Sequence, residues 1–446
     1  MSNSDQIISA LKGLVGEKYV MQNPEQLKAY TVDGITPKAV VTPGSAEEVS
    51  KILIFANKEK LSVAPRGNGT MMAAGGIPRT MDIVLSLLRI NRITDYDVAN
   101  LSLSVEAGMT LAEVQKKLAN GGKGNFLPLD PPHSEKATIG GIIATNASGP
   151  KRYLYGTARD LLLGLKAVSP EGDIITFGGK TMKNVSGYDM TKLLIGTWGG
   201  LGIITEITAK LLPLPEASAT VLASFGSLAA IDPFVRKIIH SVLLPSAVEL
   251  IDENAANRLG EKSKYLLAFS IEGVEEAVTR QIAEISDTAK KDGATSVKVL
   301  KGTEDQRFWV RVRDFADDVT KDFAYPLILK SNFVISKHSE VFAAYEKLVQ
   351  NAGFNAAFIA HGGNGILYTY ILENAGKSGI VELVNKLTAE AVKFDGNLII
   401  ESCPRDIKEK ISVWGQKRHD QIIMRRLKEK MDPQDVLNPG RFVAGI

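Results

Sequence analysis

The sequence predicts an α+β chain, and three observations carry the prediction. Past residue 215, helical apolar periodicity over 229–243, 275–292, 339–352 and 381–394 alternates with short β-like runs over 221–225, 265–271, 327–335 and 357–360. That alternation suggests an antiparallel sheet with helices on one face. Before residue 215 the chain repeatedly reads as helix, strand and glycine-rich turn. Finally, 446 residues amount to about three domain-sized units at roughly 150 residues each. The composition, 44% hydrophobic and 23% charged, is that of a folded globular chain.

The first such unit starts with Ser45-Ala-Glu-Glu48, a capping signature ahead of Val49, Ile52, Leu53 and Ala56 at helical spacing. A helix to about Lys58 leads to a buried strand over 61–64, which stops at Pro65-Arg66-Gly67-Asn68-Gly69-Thr70. Runs over 83–86 and 101–105 read as strands, and 110–120 as a capped helix with Leu111, Val114 and Leu118 on one face. A loop over 121–130 is stiffened by Pro131-Pro132. The runs 161–168 and 173–177 flank Pro170-Glu-Gly172 and predict a hairpin. A third glycine-rich stretch, 193–212, ends in the β-like run Ile203-Ile-Thr-Glu-Ile-Thr-Ala-Lys-Leu211. Pro213-Leu-Pro215 marks a boundary, after which glycine thins out. The tail past Ser412 contains a basic helix, Met424-Arg-Arg-Leu-Lys-Glu-Lys430, stopping at Asp432-Pro433.

Composition narrows the function. The net charge is +3, and no basic run or aromatic–basic interleaving suggests a nucleic-acid partner. The single cysteine, Cys403, rules out an internal disulfide, a CxxC pair and a thiolate-held iron–sulfur cluster within this chain. No apolar run reaches the ~18 residues of a membrane span. Residues 1–18 carry Asp5, Lys12 and Glu17 among helically spaced apolar residues and read as a helix, not a signal peptide. The expected location is the cytoplasm, with attachment to a membrane through a larger complex left open.

Three glycine-rich segments, 66–70, 138–149 and 196–202, lie in the first half. Any one of them serves as a tight turn. Together they suggest backbone N–H groups brought close to a large anionic ligand, with Arg66 adding charge and Thr70 a hydroxyl. Gly67-Asn-Gly69 continues as Thr-Met-Met, so the dinucleotide fingerprint G-x-G-x-x-G is missing, and no P-loop occurs. A Rossmann or P-loop enzyme, and direct use of a nicotinamide, are therefore disfavoured.

Pro65-Arg-Gly-Asn-Gly-Thr70, Thr138-Ile-Gly-Gly-Ile-Ile-Ala-Thr-Asn-Ala-Ser-Gly149, Gly200-Leu-Gly-Ile-Ile-Thr-Glu206 and the closing Asp432-Pro-Gln-Asp-Val-Leu-Asn-Pro-Gly440 follow one another in order. They resemble the FAD-binding fold of the vanillyl-alcohol oxidase / p-cresol methylhydroxylase superfamily. The nearest branch is the glycolate oxidase / D-lactate dehydrogenase group. Val413-Trp-Gly415 and the ending Asn438-Pro-Gly-Arg-Phe-Val-Ala-Gly-Ile446 are similar to that group's FAD-binding subunit.

The resemblance implies a two-lobed FAD-binding domain over 1–215, an α+β cap domain with an antiparallel sheet over 216–404, and a segment 405–446 returning to the FAD domain. It implies non-covalent FAD. Arg66, Gly67, Asn68, Gly69 and Thr70 would cradle the pyrophosphate, and Gly140, Gly141, Thr145, Asn146 and Gly149 would line the ribityl and flavin side. Pro131, Thr138, Ile204 and Asn438 would also touch the cofactor. A covalent link through His133, the one histidine of this region, is the alternative.

Oxidising a small 2-hydroxy acid requires a cation for the carboxylate, a base for the hydroxyl proton and a hydride acceptor. Trp309-Val-Arg-Val-Arg313-Asp314 resembles the branch's Trp-x-x-x-Arg-Glu segment, which makes Arg313 a carboxylate clamp and Lys330 a second cation. A solvated charged face is the plainer reading of both. His361-Gly-Gly-Asn-Gly-Ile-Leu-Tyr368 resembles the metal-binding His-x-Gly-Asp-Gly-Asn-x-His of the catalytic members, but Tyr368 replaces the second histidine, Asn364 the aspartate and Ile366 the asparagine. Downstream, Gly-Glu-His becomes Ile400-Glu401-Ser402, so Glu401 remains and a catalytic histidine is lost. His361 and Glu401 leave the metal unassigned, and a structural role for His361 stays open. His338 is a weaker candidate base.

Three functions follow. In the first, the chain oxidises glycolate, D-lactate or a similar hydroxy acid and passes electrons to an iron–sulfur or electron-transferring flavoprotein subunit. In the second it is a non-catalytic FAD-bearing relay or structural subunit. In the third it is a non-redox member of the fold such as an ether-lipid synthase.

Overall fold

The computed structural model describes residues 3–180, 188–323, 325–374 and 376–446. They divide into two compact units: Met1–Ser148 with Thr157–Pro213 and Lys417–Ile446, and Gly149–Gly156 with Leu214–Gln416. The chain leaves the first unit at Pro213 and re-enters it at Lys417, whereas the sequence suggested 215 and 405.

In the first unit, the helix Ala46–Glu59 is capped by Ser45, whose hydroxyl accepts the Glu48 N–H at 3.3 Å. The Glu48 carboxylate takes the Gly44 N–H at 2.7 Å, one residue outside the expected box. Val49, Ile52, Leu53 and Ala56 are buried, each large side chain worth about 1.5–3 kcal/mol of apolar burial. The helix feeds the strand Val63–Arg66, which starts two residues later than expected because Leu61 and Ser62 form the link. Val63–Arg66 pairs in parallel with Ile83–Ser86, which pairs in parallel with Ala39–Val41, and Val20–Met21 adds an antiparallel edge.

The second lobe of this unit is a five-stranded antiparallel sheet in the order Ile93–Asp97, Ser102–Glu106, Ile203–Lys210, Leu162–Val168, Ile174–Gly178. The last two strands are the predicted hairpin. Thr110 and Glu113 complete a capping box on the helix Leu111–Asn120. The closing helix Gln421–Met431 is pinned by one buried lysine: Lys428 donates to Asp432 at 2.6 Å, Leu437 O at 2.7 Å and Gly200 O at 3.0 Å. Asp432 in turn accepts the Val436 and Leu437 N–H groups. The Asp432–Asn438 turn is thereby fixed, and Val63 binds Val436 O and Asn438 N along the edge of the parallel sheet.

The second unit is one eight-stranded antiparallel sheet, ordered Ser296–Lys301, Ala217–Phe225, Tyr265–Gly273, Ala247–Asp252, Ala356–His361, Ile366–Ile371, Ile328–Asn332, Asn397–Ser402. Helices cover both faces, which corrects the one-faced expectation. Leu228–Ile239, Glu275–Lys291, His338–Asn351 and Ile380–Lys393 pack on one side. Glu253–Leu259, Gly302–Arg313 and Phe315–Asp322 pack on the other. The central strands are buried throughout, so no polar face alternates along them.

Residues Gly149–Gly156 pack on this second unit although they interrupt the first in sequence. Lys151 donates to both oxygens of the buried Glu272 at 2.8 Å. The Tyr153 ring lies so close to Gly363 that a Cβ there would stand 2.1 Å from it.

Asp252 ends the Ala247–Asp252 strand and caps the helix Glu253–Leu259, one oxygen accepting the Ala255 and Phe358 N–H groups at 2.9 Å. Burial, assisted by Glu346, pushes its carboxyl up to about 7 against the pull of those N–H groups. The folded value lies above the unfolded 3.8, so the contribution to stability is complete below the unfolded value and is lost as pH rises through about 7. Asp252→Asn keeps an accepting oxygen without the charge. Wild type is expected to lose a few kcal/mol relative to this variant between about pH 4 and pH 7, with little further change above. Parallel melting-temperature profiles of the two proteins would contradict that.

Candidate active site

A cleft of about 860 Å³, counting its open mouth, lies in the first unit. It is lined by Pro65, Arg66, Gly67, Asn68, Gly69, Thr70, Met71, Met72, Thr138, Gly140, Gly141, Thr145, Trp198, Gly199, Ile203, Ile204, Asn438 and Arg441 among others. Its floor is the turn at the carboxyl end of the parallel strand Val63–Arg66, the usual ligand end of such a sheet. Gly67 has to be glycine: a Cβ would stand 2.1 Å from Thr138 Oγ1. At Gly69, φ is +78° and a Cβ would meet the Arg66 guanidinium at 2.5 Å. Arg66 stacks over the Tyr30 ring, 4.5 Å from its centroid, and burial works against its charge.

Eleven of the fourteen residues expected to hold a cofactor line this cleft, and Pro131, Asn146 and Gly149 do not. Pro132 takes the place expected of Pro131, whose carbonyl accepts the Ser134 hydroxyl at 2.6 Å. Asn146 ends the helix Ile139–Thr145 in a left-handed conformation, and Gly149 belongs to the second unit. His133 does not line the cleft.

Trp198 and Arg441 are wall residues that sequence reasoning missed. Trp198 and Asn438 both have left-handed backbones (φ +57° and +47°), and the Asn438 amide donates to Trp198 O at 2.6 Å. Arg441 donates to the carbonyls of Met72 and Gly76 at 3.0 Å, and burial pushes its guanidinium down to about 10. It follows Gly440 directly, so the closing signature already pointed to it.

The second unit gathers its own cluster on one face of the eight-stranded sheet. Alternation along each strand puts Glu249, His361, Tyr368, Tyr370 and Lys330 on that face, and register supplies the contacts. Glu249 is directly opposite His361, and Lys330 directly opposite Tyr368. His361 Nδ1 lies 2.7 and 2.8 Å from the two Glu249 oxygens. Burial pushes the Glu249 carboxyl up.

Glu401 reaches the cluster through a bulge: Ile400 and Ser402 pair with Leu329 and Ile328, leaving Glu401 as the extra residue. Its carboxylate sits 3.3 Å from Lys330 Nζ. Burial opposes the Lys330 charge, but the Tyr368 hydroxyl and Glu401 beside it outweigh burial and raise its pKa. Burial and Glu401 push the Tyr368 phenol up to about 12, against the pull of Lys330.

His361, Lys330 and Glu401 therefore come together. Arg313 is placed elsewhere, at the end of the helix Gly302–Arg313, where it holds Asp314 at 2.8 and 3.2 Å. Among the described residues no hydrogen bond or ion pair joins it to Lys330, Glu401 or His361. Trp309 of the same segment is a core anchor whose indole donates to Thr220 Oγ1 at 2.6 Å. His338 opens a helix on the opposite face, beside Ser339 and Asp232. Sequence reasoning missed Glu249 and Arg152, whose charge acts on Lys330 and Tyr368. An acid in the apolar run Ala-Val-Glu249-Leu-Ile was the available signal for the first.

Residues 37–178 match the FAD binding domain family, and residues 214–403 match the C-terminal domain of FAD linked oxidases. The chain is 30% identical over 421 residues to the glycolate oxidase subunit GlcD of Bacillus subtilis, covering 92% of this chain and 89% of that one. The chain belongs to the FAD-linked oxidases. This FAD-linked oxidase is also 31% identical over 415 residues to a D-lactate dehydrogenase of Archaeoglobus fulgidus, covering 91% of each. Among solved structures, p-cresol methylhydroxylase superposes with a TM-score of 0.79 at 15% identity, covering 99% of this chain and 97% of that one, and so shares the fold.

FAD fits the first-unit cleft, because the backbone around Gly67 and Gly69 is bare where any side chain would intrude. The implied metal does not fit the second-unit donors. Glu249 holds His361 and Lys330 holds Glu401, and among the described residues no three His, Cys, Asp or Glu side chains converge. No described helix is long and apolar enough to cross a membrane.

Proposed function

We propose that this FAD-linked oxidase oxidises a small 2-hydroxy acid, such as glycolate or D-lactate, to the 2-oxo acid and passes the electrons to a partner subunit. The supporting observation is the gathering of a fixed cation, Lys330, and a carboxylate-held imidazole, His361 with Glu249, on one sheet face. The similarity to a glycolate oxidase subunit and to D-lactate dehydrogenases supports the substrate class. FAD, held non-covalently, supplies the acceptor for the α-hydrogen and its electron pair.

The chain's own residues supply the remaining steps. Lys330 sets a positive charge against the substrate carboxylate. His361 takes the hydroxyl proton; with Nδ1 engaged by Glu249, Nε2 is the ring atom that receives it. Glu249 then stabilises the imidazolium, as a carboxylate does behind any basic histidine. Arg313 remains a second candidate for the carboxylate, although Asp314 holds it. Cys403 is buried and is the single cysteine of the sequence, so no thiolate-held cluster in this chain can receive the electrons. An iron–sulfur or electron-transferring flavoprotein subunit is therefore the partner proposed, in a cytoplasmic complex.

One observation favours a second reading. Tyr368 and Ser402 stand where the catalytic relatives' motifs carry histidines, as a relay subunit that turns over no substrate would allow. Anaerobic mixing of the yellow protein with D-lactate or glycolate, followed at about 450 nm, separates the two readings. Bleaching by this chain alone supports the first. Bleaching only with partner subunits present supports the second, and a chain that carries no flavin overturns both.

A further inference from the structure

The family motif leads one to expect a divalent ion held by two imidazoles and a carboxylate, and the side chains here depart from that in three ways. The second imidazole is the phenol Tyr368, whose ring packs edge-on against His361 with centroids 5.4 Å apart. The Glu401 carboxylate, aimed by its bulge, is already neutralised by Lys330 Nζ at 3.3 Å. Lys330 Nζ also lies 5.2 Å from the centroid of the Tyr368 ring, and the phenol acts on its charge. One imidazole, itself bound to Glu249, and one ion-paired carboxylate are too few donors for zinc, which takes at least three protein ligands from Cys, His, Asp or Glu. Yet a positive charge stands in the cluster, on a lysine whose side chain is 19% exposed.

We propose that this chain works without a metal, and that the Lys330 ammonium, clamped between Glu401 and Tyr368, is the fixed cation that meets the anionic oxygens of the substrate. The identity of those oxygens rests on the hydroxy-acid reading above; the exclusion of the metal does not. Tyr368 does two things in this arrangement. It fills the room an imidazole ligand would use, and its ring lies beside the ammonium. A compact ammonium with three donors can keep its ion pair with Glu401 and still offer an N–H to a carboxylate. An ammonium is not a Lewis acid, so the hydroxyl proton falls entirely to the protein base.

The test uses the FAD-loaded protein and two probes, zinc and oxalate, the latter an anion that undergoes no oxidation here. After chelation and dialysis against zinc, wild type is expected to retain well under one zinc per chain, whereas Tyr368→His, which supplies the missing imidazole, binds zinc at least about tenfold more tightly than wild type. Lys330→Met is expected to weaken oxalate binding about tenfold or more without recovery on adding zinc, whereas Lys330→Arg retains most of it. An unchanged flavin spectrum in each variant shows that it has folded. One zinc per wild-type chain, released by His361→Ala, overturns the proposal. Unchanged zinc binding by Tyr368→His, or unchanged oxalate binding by Lys330→Met, does so as well. If no hydroxy acid bleaches the flavin while the zinc and oxalate results hold, the reaction assigned above is wrong and the metal-free cation stands.

Discussion

Replacing His361 by Asn is expected to slow anaerobic flavin reduction by roughly 10²–10⁴-fold, the usual worth of a positioned general base. The flavin itself should stay bound, because His361 lies in the second unit and the cleft that fits FAD in the first. Asparagine keeps a group that can hydrogen-bond to Glu249 but cannot accept the proton. Glu249→Gln should cost less and change the shape of the pH–rate profile, since Glu249 acts through the ring it holds at 2.7 Å. Stopped-flow bleaching with D-lactate and glycolate measures both variants. A His361→Asn rate within a few-fold of wild type would move the base to another residue and leave His361 a packing role. His338 is poorly suited to replace it, because it is buried on the opposite face against Ser339 and Asp232, and burial lowers its basicity.

The second large effect belongs to the cofactor cleft. Gly67→Ala places a methyl group 2.1 Å from Thr138 Oγ1, with Thr138 Cγ2 and Cβ at 2.9 and 3.0 Å. Thr138 cannot turn away freely, because its hydroxyl caps the helix Ile139–Thr145 by accepting the Gly141 N–H at 3.3 Å. The loop must therefore move at the point where backbone N–H groups have to approach the ligand. Overpacking of this kind costs about 1–3 kcal/mol, and a loss of that size in binding weakens FAD about 5–150-fold. The variant should purify pale and take up FAD only at raised concentration, as flavin fluorescence titration would record. Gly13→Ala is the matched control: it sits within the helix Asn3–Val15 with nothing within 4 Å of the added methyl. It should keep its FAD and gain slight helix stability. Full flavin content in Gly67→Ala would show that the turn does not approach the cofactor.

The two halves of the chain differed in how much the sequence disclosed. Around Gly67, Gly69 and Gly140 the glycines are forced by contacts closer than a side chain allows, so close backbone approach was legible as composition alone. Capping residues disclosed helix starts just as directly: Ser45 and Thr110 both cap where expected. The second unit hid four of its strands, Ala247–Asp252, Ser296–Lys301, Ile366–Ile371 and Asn397–Ser402. Strands covered on both faces lose the alternation that separates strand from core helix, which is also why helices were expected on one face only. His361, Lys330 and Glu401 were legible because a short motif surrounds each. Glu249 was not, because its role comes from pairing with a strand more than a hundred residues away. Arg313 illustrates the opposite case: the motif was present, but its guanidinium is turned onto its neighbour Asp314.

The eight residues Gly149–Gly156 also bear on how this protein can be taken apart or recombined. A fragment cut from 214 to 416 would keep the whole eight-stranded sheet yet leave Glu272, whose side chain is 1% exposed, without the lysine that neutralises it. Gly363 would lose the Tyr153 ring packed over it as well. An exchange of the second unit between relatives therefore has to carry two separate stretches of gene, and the shorter one lies inside the sequence of the first unit. A chimera spliced at the single visible boundary near Pro213 mixes parents within the sheet's own packing, so its failure to fold would trace to that packing and not to the choice of parents.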